Sequence, residues 1–272
     1  MLHLLKIEWL KVKNYRTFWI LGILYILSIF GINYIVYEIQ QEIYLHNKQT
    51  ADAAKMILGS PPYSFPAVWQ MTCYVSSFLL FIAGLLMIIS VTNEYSYKTH
   101  RQNIIDGETR TQFIVTKLAC GAVIAVVSTF IVFITAFYFG LVDGSSSFSL
   151  SDSEYIFYFF LQALSYCWLA VLVSLVFKRS GISIGVFFLY VIVLENVLSN
   201  LLNYLANDFS DGPGKFLPIQ SSDKLMPLPV FKDTPVKVLD NDTNIPLQVA
   251  LVCAYLAAYF FLSKRKFETD DL

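Results

Sequence analysis

The sequence predicts an all-α, polytopic membrane protein with six transmembrane helices, an N-terminal interfacial helix and one short cytoplasmic helix. Three observations carry this. The 272 residues are 56% hydrophobic and only 14% charged, where soluble domains carry about a quarter charged residues. The charges are gathered between long uncharged runs, and mean hydropathy is +0.59. Six of those runs reach the ~17–25 residues that a helix needs to cross the hydrocarbon core. Lipid leaves open backbone groups without partners, and no alternating barrel strands are written, so the spans are helices.

Residues 1–16 come first. Leu2, Leu5, Trp9 and Val12 recur at three- and four-residue spacing, with Lys6, Lys13 and Asn14 elsewhere around the wheel. The pattern predicts a helix lying in the membrane interface with Trp9 at headgroup level. The alternative is a plain extension of the first span. Basic residues before an apolar run also suit a signal peptide, but the run at 18–37 exceeds the ~7–15 residues of a secretory core. It reads as an uncleaved first span. The others fall at 68–91, 113–141, 155–177, 181–205 and 245–262, the last being the shortest. The chain reads as a single transmembrane domain.

Lysine and arginine set the orientation. Of the 19, 13 fall on the side that holds residues 1–16, the loop 93–110, Lys117 just after it, the Lys178-Arg179 turn and the Lys264-Arg265-Lys266 end. That side is expected to be cytoplasmic, with both termini on it. Residues 143–154 hold three acids and no base, as an outer loop should. The outer loop 206–244 contains Pro213, Pro218, Pro227, Pro229 and Pro235 and cannot form one regular helix. Net charge is −1, so no basic field argues for nucleic acid. Cys73, Cys120, Cys167 and Cys253 stand singly in apolar runs and read as small buried hydrophobes rather than ligands or redox pairs.

The loop 93–110 is patterned. Residues 96–106 can form a short helix. Gly107 suits the left-handed position that ends it. Thr109 and Gln112 then spell a capping box that starts the third span. A helix held beside the membrane on the cytoplasmic side is placed to meet a soluble partner; the plain alternative is a solvated basic loop.

One acid lies at membrane depth. Glu195, with Ser199 and Asn203 at four-residue steps and Asn196 and Asn200 on an adjacent line, makes a polar stripe on the fifth span. A carboxyl there costs roughly 2.5–3.5 kcal/mol, so it faces protein or water. The stripe fits a pathway lining, a dimer seam or a hydrogen-bonded helix interface. Gly181 and Gly185 form a G-x-x-x-G expected to pack closely.

Glu94 at the end of the second span, Lys98-Thr99-x-Arg101-Gln102-x-Ile104-Ile105-x-Gly107, and Arg110 before the third span together form a series. It resembles the coupling region of type 2 ABC transporter permeases, bacterial forms above all. The opening Leu5-Lys6-x-Glu8-Trp9-x-Lys11 and the Phe65-Pro66-x-x-Trp69 before the second span agree. With the six-span layout, the likeness extends over essentially the whole chain.

The resemblance implies the permease subunit of an ABC exporter in the bacterial cytoplasmic (inner) membrane. Two such subunits, identical or related, would pair with two ATPase subunits. It implies contact through the N-terminal helix, with Trp9, and through the 96–106 helix. Glu94 would orient, Lys98, Thr99 and Arg101 would touch the ATPase, Gly107 would stop the helix, and Arg110 would belong to the same ATPase-coupling set. No cofactor is expected on this chain; ATP and Mg would sit on the partner. The sequence lacks G-x-x-x-x-G-K-[ST] and so cannot hold ATP by a P-loop.

Two other classes compete. A lipid-modifying enzyme needs paired acids or histidines at one depth. Asp106-Gly107-Glu108-Thr109-Arg110 approaches the DGxxAR of phosphatidyltransferases, but it lacks the Ala, has Arg one place early, and no further acid follows until Asp143. Asp240-x-Asp242-x-Asn244 approaches a calcium loop but has Ile245 where the sharp-turn Gly belongs. A non-transporting anchor or sensor would use residues 207–244 outside the cell. Composition selects no cargo.

Overall fold

The computed structural model describes residues 2–45, 61–144, 146–207, 212–228 and 244–269. The described chain is helical throughout its spans, and five helices are long and apolar enough to cross a membrane. A bent pair supplies the sixth candidate. The all-α, polytopic reading holds.

Helix α1 (Leu2–Lys13) is followed by α2 (Arg16–Leu45). The second span is two helices, α3 (Val68–Ser77) and α4 (Leu80–Ser96), bent by 49°. No Gly or Pro causes the break. It falls at Phe78-Leu79, directly after the Ser76-Ser77 pair, where the Ser77 hydroxyl donates to the Tyr74 carbonyl at 2.7 Å and the Ser76 hydroxyl accepts from Asn33 of α2 at 3.0 Å. Hydroxyls that bond locally to carbonyls bend helices in this way.

Helix α5 (Thr99–Ile105) precedes α6 (Arg110–Asp143) and α7 (Glu154–Phe177). The fifth span is also irregular. Helix α8 (Ser180–Phe188) passes through a π-helical segment, Leu189–Leu194, into α9 (Glu195–Leu205). The expected uniform helix is thus widened immediately before Glu195. Within the Pro-rich segment between the last two spans, a 3₁₀ turn (Pro213–Phe216) leads to α10 (Pro218–Asp223), each with Pro at its first position, where a missing N–H costs nothing. The last helix, α11 (Ile245–Thr269), runs beyond the expected span and through the basic end.

Helix α7 is the hub. It packs against α4, α6 and α11, and 72% of its apolar window is buried, against 17% for α2. The outward residues of α2, among them Ile20, Ile23, Leu27 and Ile35, have no protein neighbour to cover them; lipid is their solvent. Two expectations on packing need correction. A Cβ at Gly181 or Gly185 would meet no atom within 4 Å, so the G-x-x-x-G packs against no described helix of this chain. The close approaches are elsewhere: Gly84 lies under the Phe187 ring and Gly140 under Phe65. Cys73 and Cys167 are buried, but Cys253 is exposed on α11.

Candidate functional site

Four charged side chains meet where α1 crosses the ends of α4 and α6. Lys117 of α6 is fully buried. Its ammonium donates to the Glu94 carboxylate of α4 at 2.6 Å and to the Glu8 carboxylate of α1. Lys11 of α1 donates to Glu8 and to Glu94, each at 2.8 Å. Two acids and two bases sum to zero charge. Burial pushes the Glu8 carboxyl up, but the charges of Lys117 and Lys11 outweigh it and hold it below the ordinary range.

Glu94 has a second task. Its backbone carbonyl lies 3.0 Å from His100 Nδ1 of α5, which must carry the proton because a carbonyl can only accept. The His100 ring also rests on Tyr95, 4.5 Å between centroids. One residue therefore ties α5 to α1, α4 and α6.

The loop between α4 and α6 is built by local rules. Gly107 adopts φ +99°. Its N–H donates to the Ile104 carbonyl at 3.1 Å and the Glu108 N–H to the Asn103 carbonyl at 3.0 Å, the paired bonds of a Schellman ending. The capping box forms in both directions: Gln112 N–H to the Thr109 hydroxyl at 3.2 Å, and Thr109 N–H to the Gln112 side chain at 2.9 Å. The α5 helix is shorter than expected, because α4 continues to Ser96 and Lys98, at φ 56°, separates the two.

The expected contact residues divide. Tyr97, Lys98, Arg101 and Ile105 are exposed and Thr99 is half-buried; Tyr97 and Ile105 are 73% and 78% exposed. These form an outward cap on the loop. Arg110 points elsewhere: its guanidinium donates to the Glu268 carbonyl at 2.5 Å, while Phe113 stacks on Phe267 at 4.6 Å. It ties the end of α11 to the start of α6. Both chain ends therefore lie at the same end of the bundle. Trp9 is half-exposed on the face of α1 away from the ion cluster and meets Trp19 edge-on at 5.9 Å. The buried line of α1 is centred on Glu8, with Leu5 and Val12 of the expected line half-buried beside it and Trp9 exposed.

Sequence reasoning missed Glu8, Lys11, Lys117 and His100 as site residues. A usable signal was present for Lys117: it lies inside the expected third span, and an ionisable group at that depth needs a partner.

The polar stripe lies at the opposite end. Glu195 is buried, and its carboxylate accepts from the backbone N–H groups of Ile219 and Gln220, the latter at 3.0 Å, at the start of α10. Asn196 accepts from the Gln220 side chain at 2.8 Å. Asn203 accepts from Gly214 N–H at 2.8 Å. Gly214 sits so close to Ser199 that a Cβ would lie 2.3 Å from its hydroxyl. Asn200 is exposed and takes no part. Four of the five stripe residues thus clasp the described part of the Pro-rich segment. In the same segment, burial pushes the Asp223 carboxyl up to about 6, against the opposing hydrogen bonds from Gln162 and Tyr166.

The Asp240–Asn244 stretch falls largely outside the described residues. No curated protein matches the chain. The family model for ABC-2 family transporter proteins does match, over residues 4–194. That range takes in α1, the ion cluster, the α5 loop and the spans up to the π-helical segment. A bundle of apolar helices, an ordered loop between its second and third spans, and this match over well beyond half its length place the chain: it belongs to the ABC-2 transporter family, as a membrane permease of an ABC transporter.

Proposed function

We propose that the chain is the permease subunit of an ATP-driven exporter in a bacterial cytoplasmic membrane, forming half of a translocation pathway. Two copies, or this chain and a related one, pair with two separate ATPase subunits that hold ATP and Mg. Both termini and the α5 loop face the cytoplasm. The observation that carries the reading is the Glu94 node. A push on the outward cap of Lys98, Thr99 and Arg101 passes through His100 to the Glu94 backbone. From the Glu94 carboxylate it passes to Lys117 of α6 and Lys11 of α1. Gly107 isolates the motion of α5 from that of α6. Arg110 acts as an internal strut, given its partner, and Trp9, half-exposed on α1, stays available as a contact. Export as the direction rests on the resemblance of the loop and of the N-terminal opening to exporter permeases.

The test uses the chain co-expressed with a P-loop ATPase encoded beside it and reconstituted in nanodiscs. Co-isolation and permease-stimulated ATP hydrolysis are expected. Arg101→Glu reverses charge on the exposed cap without touching the ion cluster, and should abolish the stimulation while the fold is kept. Failure to co-isolate with any such ATPase, or full stimulation by Arg101→Glu, overturns the coupling assignment.

A further inference from the structure

The two irregular spans face the same cavity. The break in the second span contributes Ser77 and Phe78, the π-helical segment of the fifth contributes Val191 and Ile192, and Tyr166 of α7 and Asp223 of α10 complete the wall. Its volume is about 390 Å³, within the ~300–1,000 Å³ of small-molecule sites. Tyr74 and Phe81 add aromatic surface, and Tyr74 and Phe78 stand edge-to-face at 5.4 Å.

Asp223 is the cavity's charge. Its Oδ1 accepts from Gln162 at 2.9 Å and from Tyr166 at 3.1 Å. Its Oδ2 accepts from no described group, and Asp223 is half-buried on the cavity wall. No lysine or arginine among the described residues pairs with Asp223. Its charge is felt by another acid, Glu195. An acid whose bonding is half complete, in an apolar and aromatic wall, favours a cationic donor.

We propose that this cavity binds an organic ammonium. The charged N–H group donates to Asp223 Oδ2, and the apolar body lies against Tyr74, Phe78 and Phe81. A compact primary amine on an aryl or alkyl chain satisfies both requirements. An anion is repelled by the two acids, and a neutral alcohol of the same shape keeps the apolar contact but forgoes the charge-assisted bond. Equilibrium binding needs no ATPase, so the inference goes beyond the permease reading and succeeds or fails separately from it.

The experiment is equilibrium binding of radiolabelled 4-phenylbutylamine to the full chain in nanodiscs, with empty nanodiscs as background. Saturable binding is expected, with 4-phenylbutanol competing at least tenfold more weakly than unlabelled amine. Asp223→Asn keeps an acceptor for Gln162 and Tyr166 but loses the charge, and should weaken binding at least tenfold. Should that variant fail to fold, Phe78→Ala decides the matter. Phe78 is 60% exposed and packs little of the fold, and its loss should weaken binding several-fold. Binding no greater than the empty-nanodisc background, equal competition by the alcohol, or unchanged affinity in the folded variants would overturn the proposal.

Discussion

Replacing Lys117 by Met removes one positive charge and keeps most of the aliphatic stem. In the native cluster Glu8 and Glu94 balance Lys11 and Lys117. After the change, two carboxylates share Lys11 and one negative charge is left without a counterpart at a site where Lys117 had no solvent contact. With about 4 Å between charge centres, each lost contact contributes about 4 kcal/mol at an effective dielectric constant of ~20. The desolvation of the lysine disappears with it and offsets part of that loss. Removing one member of a buried pair costs about 3–5 kcal/mol net. The cost falls mainly on the docking of α1, which among the described residues holds α6 electrostatically through Glu8 alone. It corresponds to a shift of roughly a hundred- to several-thousandfold in the docking equilibrium. Hydrogen exchange of the amides in 2–13, in nanodiscs, should lose protection by at least a hundredfold. Adding Glu94→Gln to Lys117→Met returns the cluster to neutrality and should restore part of it. Native-like exchange in the single variant, or no recovery in the double, would refute the electrostatic account.

Other outcomes are expected from the same geometry. Glu195→Ala strips the acceptor from two N–H groups at the start of α10, at about 1–3 kcal/mol for the groups left unpaired; limited proteolysis should then cut within 212–228, whereas Glu195→Gln, which still accepts, should stay resistant. Gly84→Ala places a Cβ 2.4 Å from the buried Phe187 ring and should lower the thermal midpoint by an amount equivalent to about 1–3 kcal/mol. Gly185→Ala, which meets nothing within 4 Å, should match or exceed the native midpoint, since Ala favours helix over Gly by about 1 kcal/mol. Acid should release α1 late. The folded Glu8 carboxyl is held below its ordinary value, so its contribution is present above the unfolded pKa and lost as pH falls through the lower, folded one. Fluorescence of the Trp9–Trp19 pair should therefore stay native through mild acid and change only below the ordinary carboxylate range; a change centred near pH 6 would contradict this.

What the sequence makes legible divides by the range of the interaction. Gly107, Thr109 and Gln112 were readable because each bond they make reaches no more than six residues along the chain, and the residue types are few that satisfy such turns. Hydrophobic length did the same for the spans. The bend after Ser76-Ser77 and the π-helical segment before Glu195 were not readable, because an apolar run looks the same whether its helix is straight, broken or widened. The partners of Trp9 and Arg110 were not readable for a related reason. Motif spacing locates a residue along a helix, but the partner that turns it, Trp19 in one case and the end of α11 in the other, lies on a separate element.

The ion cluster shows why the most informative residues were the hardest to see. Its bonds join positions 83 and 109 residues apart, and each member has an ordinary explanation alone. Glu8 and Lys11 belong to a charged interfacial helix, and Lys117 counts as one more cytoplasmic lysine. Only the fully buried state of Lys117 makes the four a unit, because an ammonium without water must be neutralised where it stands. That requirement also gives the cluster its mechanical meaning. Apolar packing between α1 and α6 can slide with little change in energy, whereas a neutral set of four charges has few arrangements that keep every ion paired. Motion of Glu94 with α5 must carry α1 and α6 along or break a pair, so the same electrostatics that holds the helices together would couple a push on the exposed loop to the N-terminal helix and one span.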